Sequence, residues 1–244
     1  MTGQANGVFV TGTDTGVGKT EVACALLRMA SRMGWRAVGM KPVAAGARRV
    51  RGRWRNADVV SLAEASGVRV PNRLRNPYLL LPPVAPHIAA CEAGIELQIG
   101  AIVRAYRELA RRAECIVVEG AGGFCVPLNA HAHMGDLAAR LRLPIVLVVG
   151  MRLGCISHAL LTAEAIEHRG LELAGWVANR IDPAMRRYRD NVASLAARLN
   201  APLWGEVPFV AERRARRRAL ERALEPARLA HWLAPKASAS RDKT

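Results

Sequence analysis

The sequence predicts an α/β fold, a mostly parallel sheet covered by helices on both faces. Three observations carry this. Short apolar runs rich in valine and isoleucine recur without polar alternation, which suits strands buried on both sides. Segments with apolar residues at helical spacing separate them, the order of a parallel sheet. The first run also leads straight into a glycine-rich turn that opens a helix.

Taken in order, Val8-Phe9-Val10 suits a buried strand, and Val22, Ala23, Leu26, Leu27, Ala30 and Met33 put one apolar face on the helix that follows. Ala37-Val38-Gly39-Met40 reads as a strand ending at Lys41-Pro42. Residues 43–56 read as a polar, arginine-rich loop, and a short helix is expected from Ala57 to Ala65. Residues 71–87 are proline-rich and irregular, and a helix runs from about Leu97 to Arg112. Cys115-Ile116-Val117-Val118 is a buried strand ending at Glu119, followed by a glycine-rich loop over 120–134. Pro144 to Val149 is another strand, followed by a helix from Ile156 to His168. Leu173 to Ala178 forms a strand ending at Asn179, a helix spans Pro183 to Leu199, and a last strand lies near Leu203 to Val207. No repeat or linker splits the chain, so residues 1–234 are expected to form one domain and the small, charged segment 235–244 a disordered tail.

Gly12-Thr13-Asp14-Thr15-Gly16-Val17-Gly18-Lys19-Thr20 reads as a phosphate-binding loop, which makes the fold P-loop NTPase-like. Its glycines let backbone N–H groups turn toward one centre, and the helix start adds positive potential there. Lys19 can then reach the β- and γ-phosphates, and Thr20 can offer its hydroxyl to magnesium. The usual spacing G-x-x-x-x-G-K-[ST] puts Thr13 at the first position, with Gly12 one residue early.

In open α/β sheets ligands bind outside the carboxyl ends of the strands. Gly12, Lys41, Glu119, Gly150 and Asn179 each sit at such an expected end. Glu119, before Gly120-Ala121-Gly122-Gly123, is placed to hold magnesium directly or through water, together with Thr20 and Asp58. Asn56-Ala57-Asp58 equally reads as a helix start. Lys41 precedes a proline that favours extended backbone, and a lysine there would stabilise charge on a transferring phosphoryl group; a snorkelling surface lysine has the same local pattern. His131, His133 and Cys125 match no common zinc spacing and read as a polar loop.

The formal net charge is +16, carried mainly by arginine. Arginines crowd into Arg48, Arg49, Arg51, Arg53 and Arg55, and into Arg213, Arg214, Arg216, Arg217 and Arg218. With no nucleic-acid motif or aromatic interleaving beside them, a solvated basic surface is expected and a nucleic-acid partner is not. No apolar run approaches the roughly 20 residues of a membrane span. The five cysteines form no C-x-x-C pair and have apolar neighbours, so reduced, buried thiols are expected. The start, Met1 to Gly7, lacks a leader's basic-then-apolar layout. A cytoplasmic protein is the expectation.

These segments together resemble the dethiobiotin synthetase family. The matching stretches are Phe9 to Thr20, Lys41-Pro42-Val43-Ala44, Pro77-Tyr78, Ala85-Pro86-His87, Val117 to Gly123, Leu147 to Gly150, Leu153-Gly154-Cys155-Ile156 and Gly175 to Asn179, in collinear order. The Gly-Thr-Asp-Thr form of the loop is more specific than a generic phosphate loop and accounts for the displaced glycine.

The resemblance implies an ATP-dependent enzyme that carboxylates 7,8-diaminopelargonate with carbon dioxide or bicarbonate and closes a cyclic urea through a carbamic–phosphoric anhydride. It gives Lys19 and Lys41 contacts with phosphates and the developing carbamate, and Thr20, Asp58 and Glu119 the magnesium ion. Asn179 and the backbone near Pro208 would read the base. Ala45 would border the substrate. The loop Leu153-Gly154-Cys155-Ile156-Ser157 would offer a helix start to the substrate carboxylate across a homodimer interface, which also suits backbone N–H chemistry. The chain departs from the family pattern at Ala45 (serine or threonine expected), Ser157 (asparagine in some relatives) and Asn191 (a substrate-side tyrosine expected, with Tyr188 one turn earlier).

Two other readings share the phosphate loop. A partitioning-type ATPase would use the basic surface for nonspecific nucleic-acid binding, but such loops usually carry an early lysine where Thr13-Asp14-Thr15 stands. A glutamine-fed amide synthase would need a glutaminase domain for which the chain has no room.

Overall fold

A computed structural model describes residues 6–233. Its centre is a six-stranded sheet built from β1 (Asn6–Gly12), β2 (Ala37–Met40), β7 (Cys115–Glu119), β8 (Ile145–Met151), β9 (Leu173–Arg180) and β10 (Leu203–Val207). The strand order is β10-β9-β8-β1-β7-β2, and every neighbouring pair is parallel. Five of these strands begin and end close to where their apolar runs do; β1 is longer at both ends than the run Val8 to Val10.

The sheet is covered on both faces. Val8 and Val10 point into one core with Val117, Val146 and Val148, packed under helix α1 (Lys19–Arg32), helix α2 (Ala57–Ala65), α9 (Arg213–Ala223) and α10 (Pro226–Leu233). Phe9, Ile116, Val118, Leu147 and Trp176 point into the other, beneath α5 (Ile99–Ala110), α6 (Met134–Leu141), α7 (Cys155–Glu167) and α8 (Tyr188–Ala196). Burying one such valine or leucine side chain is worth about 1.5–3 kcal/mol, so unalternating runs are driven to the middle layer.

Because all six strands are parallel, their carboxyl ends share one edge. β1 is the switch point: its neighbour β7 lies on the side of β2, and its other neighbour β8 on the side of β9 and β10. The register sets Val10 beside Glu119, Gly150 beside Asn179, and Val207 beside Asn179.

Several segments differ from the expectation. Residues 43–56 are not a plain loop. They hold β3 (Val43–Ala44), paired with β6 (Tyr78–Leu79), and an antiparallel hairpin of β4 (Arg48–Val50) and β5 (Arg53–Arg55). The hairpin turns at Arg51-Gly52, both at positive φ (50° and 77°), the backbone that a two-residue hairpin turn needs. The sequence did not show it, because residues 48–55 are mostly arginine and give no clear apolar alternation. Trp54 stands between Arg53 and Arg55, 51% exposed and paired with Arg49, so aromatic interleaving is present at this cluster after all.

The irregular stretch also contains α3 (Asn72–Arg75) and α4 (Pro86–Glu92), the second opened by a proline at its first position. Helices α6, α9 and α10 had no counterpart in the reading. The helix expected over Pro183–Leu199 is shorter, Tyr188–Ala196. The expected tail, 235–244, lies outside the described residues.

Candidate active site

The phosphate loop forms where expected, between β1 and α1. Gly18 is the first residue outside α1, at φ 95°. A Cβ there would stand 2.2 Å from the Asn179 amide nitrogen, so position 18 needs glycine for both conformation and space. Asn179, at the end of β9, donates to the Val17 carbonyl at 2.7 Å and so holds the loop from below. Thr13 ties it to the neighbouring strand: its N–H donates to Val148 O at 3.1 Å, and its hydroxyl accepts from Gly150 N–H at 3.3 Å. Lys19 folds back so that Nζ donates to Asp14 O at 2.6 Å. Burial, and then the nearby Lys41 charge, lower the Lys19 ammonium to about 8.

Beside the loop, three elements bring a second set of groups together. Lys41 follows β2, Glu119 ends β7, and Asp58 lies in the first turn of α2. Lys41 Nζ is 2.5 Å from Glu119 Oε1, 3.1 Å from Asp58 Oδ2 and 3.2 Å from Gly120 O. The snorkelling alternative for Lys41 is excluded, since its side chain is only 6% exposed. Burial works against the Lys41 charge, but Glu119 and Asp58 outweigh it and hold the ammonium above its ordinary value. Asp58 keeps the helix-start reading as well: Asn56 caps α2 by accepting from Asp58 N and Val59 N at 2.9 and 3.3 Å.

Thr20 donates its hydroxyl to Glu119 Oε1 at 2.7 Å. The other carboxylate oxygen, Glu119 Oε2, is buried without a hydrogen-bond partner. A buried orphan acceptor next to a hydroxyl and a second carboxylate suits a hard cation that takes oxygen ligands. Among the described residues no group of three or more His, Cys, Asp or Glu could hold a metal. Two carboxylates beside a hydroxyl are a donor set of the kind magnesium accepts, since it uses one or two carboxylates and completes its shell with water and phosphate oxygens.

The remaining expected residues fall around this centre. Ala45 follows β3, and its carbonyl accepts from Asn56 Nδ2 at 2.8 Å. Pro208 follows β10, exposed, next to Asn179 through the Val207–Asn179 register. Gly154, at φ 92°, caps the start of α7; Leu153 is 92% exposed, Ser157 is exposed and Cys155 is buried. Tyr188 is half-buried beside Arg180, whose guanidinium lies 5.1 Å from its ring centre, and burial followed by the nearby Glu206 carboxylate pushes its phenol up to about 12. His133 sits at the start of α6, bonded to Asp136 and in contact with Arg169.

Two features went unread in the sequence. Asp14 of the phosphate loop pairs with Arg152 at 2.6 Å, which links that loop to the turn before α7. The cavity of about 930 Å³ over the loop, moreover, is walled on one side by Arg214, Arg216 and Arg217 of α9. The arginine cluster taken as plain surface thus borders the site. The signal was available only as Ala215, Ala219 and Leu220 at helical spacing.

A family model described as an AAA domain matches residues 6–217. In overall shape the chain is similar to the MinD cell division protein of Aquifex aeolicus (TM-score 0.57, 15% identity, 96% of this chain and 98% of that one). It is likewise similar to the MinC:MinD cell division protein complex of the same organism (TM-score 0.56, 15% identity, 96% and 97%). That likeness concerns the fold alone. In sequence the chain is 56% identical to the ATP-dependent dethiobiotin synthetase BioD of Aromatoleum aromaticum over 203 residues, 83% of this chain and 90% of that protein. To the ATP-dependent dethiobiotin synthetase BioD of Nitrosospira multiformis it is 53% identical over 214 residues, 88% and 93%. Identity at that level over most of both chains means that this chain belongs to the ATP-dependent dethiobiotin synthetase family.

Proposed function

We propose that this chain carboxylates 7,8-diaminopelargonate and closes its ureido ring at the expense of ATP. The observation that carries the reading is the buried Lys41–Glu119–Thr20 contact beside a complete phosphate loop. An unprotonated substrate amine captures carbon dioxide as a carbamate. A carbamate oxygen attacks the γ-phosphorus, and ADP leaves with the bond electrons. The neighbouring amine then attacks the carbamoyl carbon and expels phosphate, which leaves a five-membered cyclic urea. Ring closure needs little beyond proximity, because both amines belong to one molecule.

Each residue has a physical task. The loop N–H groups and Lys19 gather the triphosphate, whose charges favour the ammonium that burial alone disfavours. Lys41, held charged by two carboxylates, stabilises negative charge on the γ-phosphoryl and carbamate oxygens. Thr20, Glu119 and Asp58 would hold magnesium, which supplies neutralising charge on the phosphates. Asn179 and the segment after Pro208 read the nucleotide base.

The substrate carboxylate is assigned to the N–H groups at the start of α7, in the loop from Leu153 to Ser157. That loop serves the site of a second copy in a symmetric homodimer. The 92% exposure of Leu153, an apolar side chain at the loop tip, supports an interface there. Residues 1–234 act as one unit, in the cytoplasm. Among the described residues no helix is long and apolar enough to cross a membrane.

The test is ADP release that depends on both diaminopelargonate and bicarbonate, with the ureido product identified by mass. ADP release independent of both, stimulated instead by DNA, would favour the partitioning reading.

A further inference from the structure

Helix α9 has no role in the reaction above, yet its position is tied down from several sides. Glu221 accepts from Arg28 and from Arg32 of α1 (Arg32 Nη2 at 2.5 Å), and from Arg217 of its own helix at 3.1 Å. The Glu221 side chain is 12% exposed. Partial burial works against its charge, but the bonds from Arg32, Arg217 and Arg28 outweigh it and hold the carboxyl down at about 2. Isolated surface ion pairs contribute little, but one half-buried carboxylate shared by three guanidiniums is a network.

The two ends of α9 are tied as well. At its start, Glu212 accepts from Arg214 N and Ala215 N at 2.7 and 2.5 Å. Arg216 donates to Val210 O at 2.7 Å and lies 3.9 Å from Glu21 of α1. At its far end, Ala223 O sits 2.1 Å from where a Cβ of Gly205 would stand, so only glycine in β10 lets the helix approach this closely. Helix α1 begins at the phosphate loop, and α9 follows directly on Pro208–Glu212. Docking α9 on α1 therefore sets the distance between the phosphate end and the base end of a nucleotide.

We infer that Glu221 is a positioning residue for the nucleotide: it fixes the segment Pro208–Glu212 relative to the phosphate loop and so sets affinity for the nucleoside part of ATP. This rests on the reading that the segment after Pro208 contacts the base.

The experiment compares Glu221→Gln, Glu221→Asp and the parent enzyme by ATP KM, kcat and inhibition by magnesium tripolyphosphate, which fills only the phosphate loop. Glu221→Gln raises the ATP KM about tenfold, within the range for one member of a coupled charge network. The kcat and the tripolyphosphate Ki stay within about twofold, and Glu221→Asp, which keeps the charge, gives an intermediate KM. An unchanged ATP KM in Glu221→Gln overturns the inference. So does a parallel loss of tripolyphosphate affinity, because the network would then support the phosphate loop itself. If the parent enzyme binds tripolyphosphate as tightly as ATP, the base-side reading fails and the inference with it. Should Glu221→Gln not fold, Arg32→Gln, which removes one exposed arm of the network, must raise the ATP KM in the same selective way or the inference falls.

Discussion

Replacing Lys41 with alanine separates its chemical task from its structural one. Its ammonium contacts Glu119 at 2.5 Å and Asp58 at 3.1 Å, and Glu119 is 1% exposed. Removing one partner of a buried pair costs about 3–5 kcal/mol, because the other charge is left behind. Here the lower figure applies, since Thr20 still donates to Glu119 and Asp58 is open to water. For a chain of this size, about 3 kcal/mol lowers Tm by roughly 6–12 °C. The pH dependence has a definite sign. Burial raises the Glu119 carboxyl, and without Lys41 the largest opposing charge is gone, which leaves Lys19 as a nearby cation. A carboxyl whose folded pKa exceeds its unfolded value favours folding at low pH and costs stability as pH rises through both values. The variant's deficit is therefore smaller near pH 5 than near pH 8.

Turnover falls by about 10²–10³, or ~2.7–4 kcal/mol, the scale for losing one stabiliser of transition-state charge. Adding Glu119→Gln removes the stranded charge, so the double variant regains stability but no activity. Thermal scans across pH and substrate-dependent ADP release decide the matter. A folded Lys41→Ala enzyme with near-normal turnover refutes the catalytic role. A Tm deficit that grows on acidification refutes the electrostatic account.

Lys19, lowered to about 8 in the free protein, is an ammonium below that pH and must take up a proton on binding ATP above it. ATP affinity should therefore fall up to about tenfold per pH unit above about pH 8, with calorimetry recording proton uptake from the buffer; a flat profile to about pH 10 refutes this. Gly154→Glu should raise the KM for diaminopelargonate while leaving ATP affinity nearly intact. Because Gly154 sits at φ 92°, Gly154→Ala is the control for backbone strain alone, and an equal effect in both variants counts against carboxylate binding there. Full activity in a monomer at nanomolar concentration would count against the shared dimer site. The arginine hairpin, with Trp54 exposed, should bind single-stranded DNA weakly and lose it as salt rises, without change in ATP hydrolysis; submicromolar affinity at physiological salt would overturn that.

Local pattern by itself determined much of this protein. The strand Cys115–Glu119 and the helix Ala57–Ala65 are seen where they were expected, because period and burial are properties of a contiguous segment. The phosphate loop was legible for the same reason: nine consecutive residues hold its glycines, lysine and threonine. Strand-end positions even named Lys41, Glu119 and Asn179. What those groups do to each other was decided only by the tertiary structure. Lys41 and Glu119 are 78 residues apart, Asp14 and Arg152 are 138 apart, and Asn179 reaches Val17 across 162. Such contacts follow from the strand order β10-β9-β8-β1-β7-β2, which no local period encodes. Helix α9 shows the same limit. An arginine cluster and a thin apolar stripe read as solvated surface until packing against α1 and Gly205 turned that stripe inward and brought Arg214, Arg216 and Arg217 to the cavity over the phosphate loop.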